Sequence, residues 1–538
     1  MENNRSYTYD KYLSPLDVWA IAFGCTVGWS AFNLPGSAFL PVAGPLGSLI
    51  GMAIGIVIML TIGANLSFLM RQMPGTGGVY AYTKENLGRN HAFLCAWFLS
   101  MSYLSILFLN AISLFTVIRT VFANSLQIGY RSYNIGGNVI TLGEVGASII
   151  ALSCVGLLFI NAKPLLQRLQ TLLAFVLLAG VLILTVLCLP HLKLLNNLSS
   201  PGIFGIQGSS KPFAVFSIVM LTPFAFFGFE VISLETVHFK FKVQLSRWII
   251  MASILLSGLV YISLTLISIC TAPDGYSSWQ AYIADLGTLT GLQSVPSFFS
   301  AKAIIGDAGV WLITIAALAA ILTSMIAAYR ATTRMLSTMA EDHLLSRKFA
   351  KTNHSILFVM VIAILISILG KNVLDCFLNL ASLGAVIGFG YTSLSAWKLA
   401  RKNHNRLITV TSAFGTIASI TFGIVNLIPK LAVAQTMSME AFLILSLWCL
   451  LGLLFYLYTV TRSGNAGSTS SSLIMFVLLL YSMSMWFNHQ IKSTASVQAS
   501  HILLQQNSLL AFMIVLTGLV IFLTNQIMAH KKKPEKPV

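Results

Sequence analysis

The chain is 538 residues long, 57% hydrophobic and only 9% charged, with 32 Lys and Arg against 15 Asp and Glu. A soluble domain carries roughly 25% charged residues, so this composition excludes a large water-soluble catalytic unit and describes a polytopic membrane protein. The net charge of +17 is then read as basic residues retained on the cytoplasmic side, with no nucleic-acid partner.

In chain order, the polar tail 1–16 lacks the apolar core of a signal peptide and is expected to stay inside. Uncharged apolar runs then predict fourteen spanning helices: 17–40, 46–70, 92–118, 144–161, 169–189, 213–237, 248–270, 308–330, 355–370, 375–397, 407–429, 440–461, 471–488 and 508–529. With the N-terminus inside, 24 of the 32 Lys and Arg fall on the inner side. Both termini, including the basic tail 530–538, are therefore expected to be cytoplasmic, in a multi-pass protein of the plasma (inner) membrane. The outer loop 271–307 is the longest. Its SSWQAYIADL stretch predicts a short helix, and Pro273, Gly275, Gly291 and Pro296 break it into pieces suited to lie over a cavity or to form an irregular loop. The seven cysteines have no metal-ligand spacing, although Cys188 and Cys270 both fall at outer span ends.

The chemistry is sparse. The nine histidines lie in loops or at span ends, and HExxH, GxSxG and P-loop patterns are absent, so an enzyme is not expected. Glu230 alone among the carboxylates lies well inside a span, where an ionised carboxylate costs on the order of 3 kcal/mol on insertion scales. That cost points to proton coupling or gating, with a structural hydrogen bond as the plainer alternative. Two spans are interrupted. The first reads AFGCTVGWSAFNLPG, with Gly24, Gly28, Ser30, Asn33, Pro35 and Gly36 in mid-run. The sixth reads LTPFAFFGFE, with Pro223 and Gly228 just before Glu230. Interrupted helices in matching positions of two halves point to a transport site, because their freed N–H and C=O groups bind the cargo. Close packing through glycine is the competing explanation.

Gly24-Cys25-Thr26-Val27-Gly28-Trp29-Ser30-Ala31-Phe32 with Pro35-Gly36 resembles the GxxxGSGIFxxPG signature of the amino acid/polyamine/organocation transporters. Pro74 to Tyr82 resembles the family's PxxGGxYxY, Phe226-Phe227-Gly228-Phe229-Glu230 its FxGFE, and Arg330 to Leu345 its RxxxxMAxDxxL. The resemblance implies an all-α, LeuT-type fold of two inverted repeats, 17–189 and 213–397. Peripheral helices would follow over 407–461 and two extra ones over 471–529. It implies secondary active transport of an amino acid or amine derivative by alternating access, with ion coupling or exchange. A transporter-like nutrient sensor is the alternative.

By the same resemblance the substrate carboxylate meets the backbone at Val27, Gly28, Trp29 and Ser30, and its ammonium the carbonyls around Phe226 and Phe227. Phe229 joins the aromatic lining, and Glu230 matches the sixth-helix glutamate that couples protonation or gating. A sodium site would use Gly24, Val27, Thr323 and Ser324; H+ is the other candidate coupling ion, and no further cofactor is expected. Two positions depart from the pattern. Trp29 stands where relatives have a small residue, and Thr236-Val237-His238 where many have an acidic pair. The aromatic lining favours a neutral or apolar substrate, with the lipid bilayer as the other partner.

Overall fold

The computed structural model describes residues 10–75, 77–122, 132–135, 138–192, 203–206, 210–342, 344–345, 347–370, 373–428, 437–463 and 470–494. The predicted span 508–529 and the tail 530–538 lie outside the described residues.

Helix α1 (Pro15–Thr26) starts where the sequence provides a capping box. The Ser14 hydroxyl accepts the Asp17 N–H at 3.3 Å, and Asp17 Oδ2 accepts the Ser14 N–H at 3.0 Å, with Pro15 at the first helical position. It ends after 12 residues because Val27 is extended (φ −105°, ψ 100°). The chain resumes as α2 (Ser30–Leu34), passes through a π-helical turn, Pro35–Phe39, and continues as α3 (Leu40–Gln72). The run 17–40 is two helical pieces, as its interruption predicts. One expectation is corrected: no loop separates it from the second span. The chain instead turns within the helix at Gly44, whose φ of 61° precedes Pro45. Glycine tolerates that angle, and proline removes the hydrogen bond that would have opposed the turn.

The sixth span is broken too. Helix α8 (Lys211–Ala225) stops beyond Pro223, Gly228 adopts φ 131°, and Phe229–His238 is a 3₁₀ helix. The predicted helix over 213–237 is thus half α and half 3₁₀. The remaining helices are α4 (Gly78–Leu87), α5 (Arg89–Phe122), α6 (Leu142–Asn161), α7 (Lys163–Cys188), α9 (Ser246–Ile267), α12 (Asp307–Glu341), α13 (Thr352–Ser367), α14 (Leu374–Lys402), α15 (Arg406–Leu427), α16 (Met439–Ser463) and α17 (Ser470–Thr494). Between α5 and α6 a short hairpin pairs Ser132–Ile135 with Asn138–Thr141. In the 271–307 segment the predicted helix is present as α10 (Trp279–Ala284), capped by the Ser278 hydroxyl, and α11 (Pro296–Ile305) follows it.

Among the described residues ten helices are long and apolar enough to cross a bilayer; Thr352–Ser367 and Ile474–Phe487 are shorter apolar helices. α5 lies at the centre, against α12 and α14, and α12 also packs on α1 and α7. The peripheral helices turn apolar side chains outward, with Val186 70%, Val410 69% and Ile417 65% exposed. A lipid-facing surface has that pattern, since hydrocarbon rather than water solvates it.

Candidate functional site

The two helix breaks meet. A Cβ placed on Gly228 would lie 2.7 Å from the Cys25 carbonyl carbon and 2.8 Å from the Thr26 nitrogen, so only glycine lets the sixth-span break seat against the first. Across the first break, Asn110 of α5 acts as a bridge. Its Oδ1 accepts the buried Trp29 N–H at 3.1 Å, and its Nδ2 donates to Ile106 O at 2.9 Å and Ser324 Oγ at 3.0 Å. Gly28 makes room for that amide, since a Cβ there would approach Asn110 Oδ1 to 2.6 Å.

Both breaks leave backbone groups unspent. Among the described residues the Gly28 N–H makes no backbone hydrogen bond, and the carbonyls of Phe226 and Phe227 accept none. A cavity of about 110 Å³ opens beside them. Gly28, Trp29, Ser30, Phe224 and Phe227 line it, with Asn110, Ile106, Leu109 and Ser324 across from the breaks and Asn33, Ser113, Asp375 and Leu378 also in its wall. Thus Gly28, Trp29, Ser30 and Phe227 of the expected set share one cavity, and Val27, Phe226 and Phe229 do not line it. Val27 is fully buried. Phe226 packs towards Tyr261, at 6.3 Å between ring centroids, and Phe229 stacks on Phe389 at 5.5 Å.

Trp29 is held in an aromatic group with Phe32 and with Phe298 of α11, at 6.3 and 6.2 Å. The 271–307 segment therefore braces the part of the first span beyond its break, where Pro296 also abuts Gly36. The Ser30 hydroxyl and the Tyr261 hydroxyl lie 3.1 Å apart.

Glu230 is buried beside the break, 2% exposed. Its Oε2 accepts the Gly228 N–H at 2.9 Å and its Oε1 the Tyr103 hydroxyl at 3.0 Å, while the Tyr103 ring stacks on Phe227 at 5.0 Å. Among the described residues no cationic side chain pairs with it.

Of the four residues named for sodium, Gly24 packs against Thr323 and Ser324 reaches the Cys25 carbonyl between Gly24 and Val27. A Cβ on Gly24 would sit 2.8 Å from Thr323 Cβ. Ser324 Oγ donates to the Cys25 carbonyl at 3.3 Å, and Thr323 Oγ1 to the Ala319 and Ala320 carbonyls at 2.8 and 3.0 Å. The carbonyls of Gly24 and Val27 accept no backbone hydrogen bond among the described residues. Hydroxyl and carbonyl oxygens form the hard donor set that suits an alkali cation.

On the N-terminal side the breaks are shut. Glu235 accepts from Arg334 Nε at 3.1 Å, Leu13 bonds His238 and Lys240 through its backbone, and Thr236 Oγ1 donates to Gly75 O at 2.6 Å. The Thr236-Val237-His238 departure therefore makes closing contacts of its own. Asn110, Tyr103, Tyr261 and Asp375 were not anticipated. Asn110 had a visible signal, being an amide in the middle of an apolar span, where burying it unpartnered is costly. The tyrosines had none.

The amino acid permease family model matches residues 13–455. A methylthioribose transporter of Bacillus subtilis (strain 168) is 23% identical over 408 residues, covering 74% of this chain and 83% of that protein. The branched-chain amino acid permease BcaP of Lactococcus lactis subsp. cremoris (strain MG1363) is 21% identical over 466 residues, covering 83% of this chain and 94% of that protein. A solved Na+-coupled sialic acid symporter in a substrate-bound outward-open state gives a TM-score of 0.52 at 12% identity, over 76% of this chain and 88% of that chain. At that identity the likeness shows the fold alone, a LeuT-type helical membrane protein.

Proposed function

We infer that this chain, which belongs to the amino acid permease family and is a membrane transporter, not an enzyme, carries a neutral, apolar amino acid. The observation that carries this reading is the cavity at the two breaks. Its backbone groups left without partners suit a carboxylate at Gly28 and an ammonium at the Phe227 carbonyl, with the unspent Phe226 carbonyl at the same break though Phe226 does not line the cavity. Its Trp29, Ile106, Leu109, Phe224 and Phe227 walls suit an apolar side chain. A relative that is a branched-chain amino acid permease supports the same substrate class.

For coupling we place Na+ first, held by Gly24, Val27, Thr323 and Ser324, because Gly24 packs against Thr323, Ser324 reaches the Cys25 carbonyl, and the Gly24 and Val27 carbonyls accept no backbone hydrogen bond among the described residues. Bound there, the cation would tie α1 to α12 and so favour the closed N-terminal side. The second reading is proton coupling through Glu230, favoured by its burial without a cationic partner. Both readings take the N-terminal face as cytoplasmic, from the distribution of basic residues.

The test is a thermal-stabilisation screen of the purified protein against the amino acids and methylthioribose. Uptake of the stabilising compound into proteoliposomes under an imposed Na+ or H+ gradient follows. Leucine, isoleucine or valine should stabilise; stabilisation by methylthioribose alone, or by charged amino acids alone, would overturn the substrate class.

A further inference from the structure

Two turns from the helix breaks towards the N-terminal side, the contact between α1 and α12 ends in buried polar groups. Gly24 faces Thr323; seven residues on along α12 is Arg330, and seven residues back along α1 is Asp17. Seven residues span about 10 Å of helix and return close to the same face. α7 fills the space beside them. Its Gln167 Oε1 accepts from Arg330 Nη2 at 2.5 Å, and Thr171 Oγ1 donates to Asp17 Oδ1 at 2.8 Å. Gln170 lies one turn from Gln167 on the same face, nearer the breaks.

Arg330 and Gln167 are each 7% exposed and Gln170 is fully buried. Among the described residues Arg330 makes no direct ion pair. Arg334 has Glu235, and Asp17 is occupied by the Ser14 N–H and hydroxyl at 3.0 and 2.7 Å. Arg330 has no carboxylate within 4 Å among the described residues; the Phe159 ring lies at 5.8 Å, and the charge of Glu235, which Arg334 holds, reaches it from farther off. Among the described residues its Nε, the Gln167 Nε2 and both polar atoms of the Gln170 amide are buried without a partner within hydrogen-bonding geometry, although the Gln167 amide also bears on the Asp17 carboxyl. A buried guanidinium with no carboxylate in contact, beside unused amide donors, is costly as it stands. The same set is what recognises a carboxylate: a planar fork for two oxygens, with neutral donors to complete the shell.

We propose that Arg330, Gln167 and Gln170 form a second, anion-binding site on the N-terminal side of the transport path. Its occupant is a small monoanion, either the carboxylate of the amino acid leaving the central cavity or free chloride. The first source rests on the amino acid transport reading above; the second does not. In the first case the site receives the substrate when the inner half of α1 moves off α7 and α12, and so lowers the cost of leaving the break.

Full-length protein in proteoliposomes tests this with L-leucine, its KM measured separately at each membrane face. Arg330→Gln should raise KM about tenfold at the N-terminal face, the effect of losing one charge-assisted hydrogen bond. KM at the opposite face should stay within about twofold of wild type, and Arg330→Lys, which keeps the charge and is less prone to misfold, should recover most of the loss. A purely structural role would shift both faces alike, and that result overturns the proposal. If the wild type carries no leucine, the transport reading fails and anion binding is decided by a second measurement. Melting temperatures are compared in sodium acetate, sodium chloride and the bulky sodium isethionate at equal ionic strength. An acetate response in wild type that Arg330→Gln loses assigns the site to carboxylates, and a response to chloride alone assigns it to the inorganic ion. Indistinguishable anion responses in wild type and Arg330→Gln sink both assignments.

Discussion

Asn110→Ala is the sharpest probe of how the first helix break is held. The amide spans three elements: its Oδ1 accepts the Trp29 N–H at 3.1 Å, and its Nδ2 reaches Ile106 O at 2.9 Å and Ser324 Oγ at 3.0 Å. Truncation leaves the Trp29 N–H buried without an acceptor, at a cost of about 1–3 kcal/mol. Ser324 keeps its bond to the Cys25 carbonyl, so its share is one neutral hydrogen bond, about 0.5–1.5 kcal/mol. Ile106 O lies within the α5 ladder and loses little. The total is about 2–4 kcal/mol against the arrangement that presents Gly28 and Ser30 to the cavity, and each 1.4 kcal/mol realised in binding is about tenfold in Kd. Calorimetric titration of the stabilising amino acid should therefore show a Kd weakened by at least about thirtyfold, with a lowered melting temperature. Ser324→Ala, which removes one arm and the bond to the Cys25 carbonyl but leaves the Trp29 N–H its acceptor, should lose less than Asn110→Ala. A Kd and a melting temperature for Asn110→Ala both within about twofold and one degree of wild type would refute the bridge.

Glu230→Gln keeps the shape of the side chain but cannot ionise. The expected result, if the carboxyl exchanges a proton during the cycle, is an uptake rate flattened against pH with substrate binding retained. An unaltered pH profile with a lowered melting temperature would leave Glu230 as the lock on Gly228 and Tyr103. Gly228→Ala must fit a Cβ within 2.8 Å of the α1 backbone at a φ of 131°; overpacking of this kind costs about 1–3 kcal/mol. Melting should show that loss together with loss of binding, and a normally stable, active variant would argue against close seating of the two breaks. For topology, a cysteine introduced at Ser278 should react with an impermeant maleimide applied to intact cells, and one at Lys402 should not; the reverse pattern would invert the proposed orientation.

Much of the architecture was legible because a bilayer limits what a chain can do. With charges scarce and apolar runs long, spanning helices are the structure that satisfies every backbone group, and the runs from 92 to 488, apart from the broken run 213–237, are helices close to where they were read. The breaks were legible for a local reason as well: glycine and proline weaken a helix wherever they stand, so Gly28, Pro223 and Gly228 announced themselves, and Glu230 did so by its charge. What the tertiary structure decided was which residues those breaks meet. In sequence, Gly44-Pro45 reads as a loop between two spans, and only packing turns it into a pivot inside a helix running on from Ser30. Asn110 lies 81 residues from Trp29 and Arg330 lies 163 from Gln167. Periodicity constrains neighbours along one helix and has no reach over such distances. Both contacts exist because α7 and α12 pack on α1 and α5 packs on α12, which brings polar side chains from separate helices into one interior.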